Sequence, residues 1–266
     1  MRILFVGDVV GLPGRRVLRS GLVALRLKLH PDLVVANGEN CAGGNGLTPT
    51  TTEELFRAGC DVVTTGNHVW DRREIVPYFA GHERLLRPAN YPAGAPGHGA
   101  VIVTARDGTP VLVANLMGRV YMPAVDDPFR CADALLADLG SRARVSLVDF
   151  HAEATSEKIA FCWYVDGRMS AVVGTHTHVP TADERVLPRG TACITDVGMT
   201  GPHDSVIGVE KAEVLERFLT QRPVRFSTAR EDVRLQAVLI EVSPSDGRAG
   251  SIRRIEFRDG DRDEVR

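Results

Sequence analysis

Leu33-Val34-Val35-Ala36-Asn37-Gly38-Glu39-Asn40 is the stretch that decides how this chain is read. Leu33 to Ala36 are apolar without alternation, the pattern of a strand buried on both faces of a sheet. The run then ends in an amide, a glycine, a carboxylate and a second amide. A strand tip that merely turned back to the surface would ask for Gly, Asn or Asp. It would not ask for Glu, so this carboxylate is expected to point at a ligand.

The same design recurs on either side of the stretch. Ile3–Val6 is a short apolar run ending in Gly7-Asp8, and Asp61–Thr65 ends in Gly66-Asn67-His68. Pro13 opens a helical pattern in which Val17, Leu18, Leu22, Leu25 and Leu29 share one face. A second helix begins near Thr50, with Thr51 or Thr52 as its cap. Strand, helix, strand, helix, with near-continuous apolar strands, predicts a parallel sheet covered on both faces. Farther on, Ala100–Thr104 and Val111–Leu116 around Asp107-Gly108 read as a β-hairpin, followed by a helix from about Phe129 to Leu139. Val145–Val148 and Met169–Val173 are two further strands separated by a helix from Thr155, and Leu235–Val242 and Ile252–Phe257 return to β structure. No repeat, linker or low-complexity stretch divides the chain. Residues 1–266 are therefore expected to form a single α/β domain, a two-sheet sandwich with helices on the outer faces.

Composition bounds the function. The 266 residues are 44% hydrophobic and 25% charged, and the net charge of -2 gives no general affinity for nucleic acid or an anionic membrane. No segment approaches the roughly 18 apolar residues of a membrane span, and the apolar run at the N-terminus is too short for a signal peptide. Five scattered cysteines without a Cys-x-x-Cys pair favour reduced thiols and a cytoplasmic setting.

Potential metal ligands collect at the C-terminal ends of the strands: Asp8, Glu39 with Asn40, Asn67 with His68, His151, then His176 and His178. In open α/β sheets that edge is where ligands bind. Taken singly, Asp8 reads as a turn residue, Asn67 as a turn former and His151 as a half-buried histidine bonded to backbone. Five segments delivering carboxylate, amide and imidazole to one edge favour a metal centre. His176 and His178, two residues apart in extended chain, would face the same way. The donors exceed what one tetrahedral site needs, so two ions are expected, of iron, manganese or zinc rather than calcium. Glu39 is the candidate to bridge them. Arg15 and Arg16 read as a solvated face, and Gly198–Gly201 with His203 are candidates to line a substrate pocket.

Gly7-Asp8, Gly66-Asn67-His68 and Gly174-Thr175-His176-Thr177-His178 resemble the blocks of the calcineurin-like metallophosphoesterases. GDVVG from Gly7, NGEN from Asn37, GNHVWD from Gly66, DFHAEATSEK from Asp149, GTHTHVPTAD from Gly174 and TDVGMTGP from Thr195 resemble one bacterial branch of them, the YmdB-type phosphodiesterases. The wider superfamily carries Asp-x-His in its first block, whereas Asp8 is followed by Val9-Val10, and Asn40 takes the place of that histidine. The resemblance implies a metallophosphoesterase-like sandwich with one ion on Asp8, Glu39, Asn40 and His178. The other ion would lie on Glu39, Asn67, His151 and His176, with iron the foremost candidate. It implies hydrolysis of a small phosphodiester, such as a 2′,3′-cyclic nucleotide, by a metal-bridging hydroxide. His68 is assigned as general acid for the leaving oxygen or as transition-state stabiliser, against the alternative of orienting Asn67. A phosphomonoesterase or nucleotidase on the same metals is the rival enzyme, and a metal-binding regulatory protein acting through a partner is the non-enzymatic one. Homo-oligomer formation is left open.

Overall fold

Two sheets packed face to face, each with helices on its outer side, make up the computed structural model, which describes residues 1–258. Residues 259–266, included in the same domain on sequence grounds, lie outside the described residues. The first half of the chain contributes β1 (Arg2–Val6), β2 (Asp8–Val9), α1 (Gly11–Leu29), β3 (Leu33–Asn37), α2 (Pro49–Ala58), β4 (Val62–Thr64), α3 (Ile75–Tyr78), β5 (Ala100–Thr104) and β6 (Pro110–Met117). The second half contributes α4 (Pro128–Leu139), β7 (Val145–His151), α5 (Thr155–Val165), β8 (Ala171–Thr175), β9 (Arg185–Val186) and β10 (Ala192–Ile194). It closes with β11 (Met199–Pro202), α6 (Lys211–Thr220), β12 (Val233–Val242) and β13 (Ala249–Arg258).

Among the described residues one sheet runs β2-β11-β12-β1-β3-β4 with β13 against β12, and the other runs β5-β6-β7-β8-β10-β9. β1, β3 and β4 are parallel, as are β6, β7, β8 and β10. β12 enters antiparallel beside β1, so the first sheet is mixed. The period of two in a strand explains the layers. Ile3 and Phe5 face the second sheet with Val35, Val113, Leu147 and Val173, whereas Leu4 and Val6 pack with Val17, Leu18 and Leu22 of α1. Both faces of β1 are therefore apolar, which is why its sequence does not alternate. On the far side of the second sheet, Val148 and Phe150 pack with Ala132 of α4 and Phe161 of α5. Each fully buried large side chain contributes about 1.5–3 kcal/mol.

Several sequence expectations need correction. α1 starts at Gly11, placing Pro13 inside its first turn, where the N–H that proline lacks has no helical partner to lose. The cap of α2 is Thr48, whose hydroxyl accepts from Thr51 N while Thr51 Oγ1 accepts from Thr48 N. Strands extend past their apolar runs to His151 and Thr175, because sheet pairing continues through polar residues. Arg15 is not a solvated side chain: it pairs with Glu54 at 2.6 Å and bonds the Cys41 carbonyl. Met199–Pro202 form a short strand, β11, which pairs β2 and so fixes the strand of Asp8. The thiols are not all reduced, since Cys162 of α5 and Cys193 of β10 form a disulfide, with Cys41, Cys60 and Cys131 free. Their separation of 31 residues left no motif to read. No helix among the described residues is long and apolar enough to cross a membrane.

Candidate metal centre

The ends of β3, β4, β7 and β8 meet where the two sheets face each other. Asn37 Nδ2 donates to Asp149 Oδ2 at 2.9 Å across the sheets, and Thr64 Oγ1 donates to the same oxygen. Asn37 Oδ1 in turn accepts from Glu39 N at 3.1 Å, fixing the turn that presents Glu39. Gly38 is required there, because a Cβ would run into Leu55 and Val63. Gly66 is required for the same kind of reason: a Cβ would collide with the His151 ring and the Glu39 carboxylate.

The sequence candidates converge. Around His151 Nε2 lie Glu39 Oε1 at 2.9 Å, Asn67 Oδ1 at 3.0 Å and His176 Nδ1 at 3.0 Å. Glu39, His151 and His176 offer ligand atoms all within 4.8 Å of one another. Next to them, Asn40 Nδ2 lies 3.1 Å from His178 Nε2 and 3.4 Å from Glu39 Oε1. Asp8 sits 3.9 Å from His151, and its Oδ2 accepts from His176 N at 3.2 Å. His68 joins through its backbone N–H, which donates to Glu39 Oε2 at 3.1 Å, while its ring faces Asp71 at 2.8 Å.

The hydrogen bonds assign the ring nitrogens. Thr175 Oγ1 donates to Asp149 Oδ1 at 2.6 Å, so it accepts from His151 Nδ1 at 2.9 Å and leaves Nε2 facing Glu39. His176 Nε2 donates to Glu153 at 3.1 Å, leaving Nδ1 inward. His178 Nδ1 donates to the Ile207 carbonyl at 2.9 Å, leaving Nε2 inward. Each histidine is thus anchored by one nitrogen and offers the other, the arrangement of oriented metal ligands.

His176 and His178 are not in extended chain, as the sequence spacing suggested. β8 ends at Thr175, and their φ values are 103° and 65°, in the left-handed region. Contacts from distant segments override the local preference: Asp8 accepts His176 N, and Asp196 Oδ2 accepts Thr177 N at 3.0 Å.

Charge is concentrated in this buried pocket. Burial pushes the Glu39 carboxyl up, but the charge and hydrogen bond of His151 and the proximity of His68 outweigh it and hold it at about 2. Burial disfavours protonation of His151, yet Glu39, Asp8 and Asp149 raise it to about 9. Burial and the neighbouring His151 lower His176 to about 3, so its ring is neutral. Burial raises the Asp8 carboxyl above its ordinary value, and its Oδ1 is buried with no hydrogen-bond partner. An orphaned carboxylate oxygen beside imidazole and amide donors fits a cation. A cation and the proton on His151 Nε2 compete for the same nitrogen.

Asp149, Thr175, Glu153 and Asp196 form the outer ring of this site, and sequence reasoning did not assign them. Asp149 and His151 occupy one face of β7 at a spacing of two, which is the signal that was there to be used. The ligand cluster opens into a cavity of about 390 Å³ lined in part by Glu39, Asn40, His68, His176 and His178. Among the described residues, Gly43 and Gly44 of the Gly-rich loop also reach it.

A family model described as YmdB-like protein matches residues 4–255. Over 259 residues, 97% of this chain and 98% of the relative, the sequence is 49% identical to the 2′,3′-cyclic-nucleotide 2′-phosphodiesterase of Bacillus subtilis (strain 168). A hypothetical protein from Thermus thermophilus superposes with a TM-score of 0.91 at 45% identity, over 97% of this chain and 99% of that one. A protein of Mycoplasma pneumoniae whose crystal structure was described as that of a novel phosphatase superposes with a TM-score of 0.90 at 34% identity, over 97% and 93% of the two chains.

Proposed function

This chain belongs to the YmdB-like protein family, and on that premise we propose that it is a phosphodiesterase working with two metal ions on a 2′,3′-cyclic nucleotide. One observation carries the reading. His151, His176 and His178 each give one ring nitrogen to an acceptor of the scaffold and turn the other toward Glu39, Asn40 and Asn67. Among the rival readings, nothing in a purely structural histidine cluster would call for three rings anchored this way around an orphaned carboxylate oxygen.

In this reading Asp8, Glu39, Asn40 and His178 hold one ion, and Glu39, Asn67, His151 and His176 hold the other. Iron is the foremost candidate, with manganese or zinc as alternatives. When bound, such a pair supplies a water nucleophile near neutral pH and offsets charge on the phosphoryl oxygens. The protein's own part is orientation and proton delivery. Thr175, Glu153 and the Ile207 carbonyl fix the three rings, and Asn37 fixes the turn of Glu39. His68, half-buried at the cavity, has its Nδ1 proton held by Asp71 at 2.8 Å, which leaves Nε2 to act. As water attacks phosphorus, the bond to one ribose oxygen breaks. His68, acting in its doubly protonated form with Nδ1–H held by Asp71, gives its Nε2 proton to that oxygen, and the proton shed by the attacking water restores the ring. The product is a nucleoside monophosphate.

The same metals could serve a phosphomonoesterase or nucleotidase, so the assay must separate them. Metal-reconstituted protein is offered 2′,3′-cyclic AMP and bis-p-nitrophenyl phosphate in parallel with adenosine 3′-phosphate and p-nitrophenyl phosphate. A higher kcat/KM on the diesters is expected; preference for the monoesters overturns the assignment.

A further inference from the structure

The cavity beside the ligand cluster is not polar throughout. Its volume of about 390 Å³ falls in the range of small-molecule sites. Besides the histidines it is lined by Val10, Ile207, Val209 and Phe226. Ile207 and Phe226 are 53% and 45% exposed, a large apolar surface left uncovered next to a site for a charged group.

This wall is held in place at a conformational cost. Ile207 has a φ of 46°, a left-handed backbone that a β-branched residue rarely adopts. Its carbonyl accepts the His178 Nδ1 proton at 2.9 Å, so the strained residue touches a candidate metal ligand directly. Val206 and Val209 exchange backbone hydrogen bonds at 2.9 and 3.0 Å around it. The Phe226 segment is fastened to the same turn: Glu210 N donates to Ser227 O at 3.0 Å and Ala229 N to Gly208 O at 2.9 Å. Glu213 Oε2 accepts Ser227 N at 2.6 Å, and the Arg217 guanidinium lies over the Phe226 ring, 5.8 Å from its centroid. Two apolar side chains are thus presented rigidly, from segments tied to each other and to His178.

We propose that Ile207 and Phe226 form the platform that binds the nucleobase of the substrate, with its phosphate directed at the histidine side of the same cavity. This rests on the reading of the chain as a nucleotide phosphodiesterase. Stacking on an aromatic ring tolerates any base, because every base has a π-face. The platform therefore favours nucleotides over base-free phosphodiesters and discriminates little among the bases.

Calorimetric titration of manganese-loaded protein with adenosine 3′-phosphate and, separately, inorganic phosphate tests the platform. Wild type binds the nucleotide more tightly than phosphate. Phe226→Ala weakens nucleotide binding about tenfold and leaves phosphate binding alone. Ile207→Gly suits a φ of 46°, so it weakens nucleotide binding without lowering Tm. Unchanged nucleotide affinity in Phe226→Ala, or a wild type that binds nucleotide no tighter than phosphate, overturns the platform. A protein that fails to hydrolyse 2′,3′-cyclic AMP, yet whose nucleotide affinity depends on Phe226, keeps the platform and loses the assigned reaction.

Discussion

Lys158 and Asp196 are the place to test whether the histidine loop is held from behind. They pair at 2.8 Å with side chains only 3% and 1% exposed. Lys158 Nζ also donates to the Thr175 carbonyl at 2.8 Å, and Asp196 accepts Thr177 N at 3.0 Å and Gly198 N at 2.9 Å. The pair therefore grips the chain on both sides of His176, where two non-glycine residues in the left-handed region each cost about 1–3 kcal/mol. Lys158→Met leaves the Asp196 charge buried without its cation, which costs about 3–5 kcal/mol. Asp196→Asn strands the ammonium and weakens the bond to Thr177, and losing such a support typically lowers metal affinity about 10–100-fold. The double variant Lys158→Met/Asp196→Asn buries no unpaired charge, so it regains much of the stability. It does not regain metal affinity, because the anionic acceptor of Thr177 N is still missing. Urea unfolding of the four proteins of this cycle and calorimetric titration with manganese give both quantities. A loss below about 1 kcal/mol in Lys158→Met would refute the buried-pair reasoning. Wild-type manganese affinity in the double variant would refute the positioning role.

Glu39→Ala should empty both metal sites and Asn40→Ala weaken one selectively, read as metal per protein by elemental analysis; equal losses in the two variants contradict the bridging role of Glu39. His68→Ala should lower kcat about 10²–10⁴-fold with metal content at the wild-type level, and loss of metal would instead move His68 into the ligand set. Alkylation of unfolded, unreduced protein should label Cys41, Cys60 and Cys131 only; mass spectrometry showing five adducts rules out the Cys162–Cys193 bond.

The ends of β1, β3, β4 and β7 were legible because a buried apolar run that stops at a carboxylate, amide or imidazole leaves few reasons for that residue type. Asp8, Glu39, Asn67 and His151 all carry this signal. The short strands β2, β9, β10 and β11, two to four residues each, were not legible, since periodicity needs more positions than they have. Nor was the outer ring of the site. Asn37 meets Asp149 across 112 residues of sequence, and Lys158 meets Asp196 across 38. Neither pair has a local pattern. The histidine loop shows why this matters. Its spacing suggested extended geometry, whereas the backbone there is set by Asp8 and Asp196. Donor types at strand ends thus mark a candidate cation site, whereas the direction in which each donor points is decided by partners far away in sequence. A variant chain could keep all seven proposed ligands and still lose the centre through Asp149 or Asp196 alone. Counting ligand motifs is therefore a weaker guide to activity in such chains than checking whether the residues behind the ligands are present.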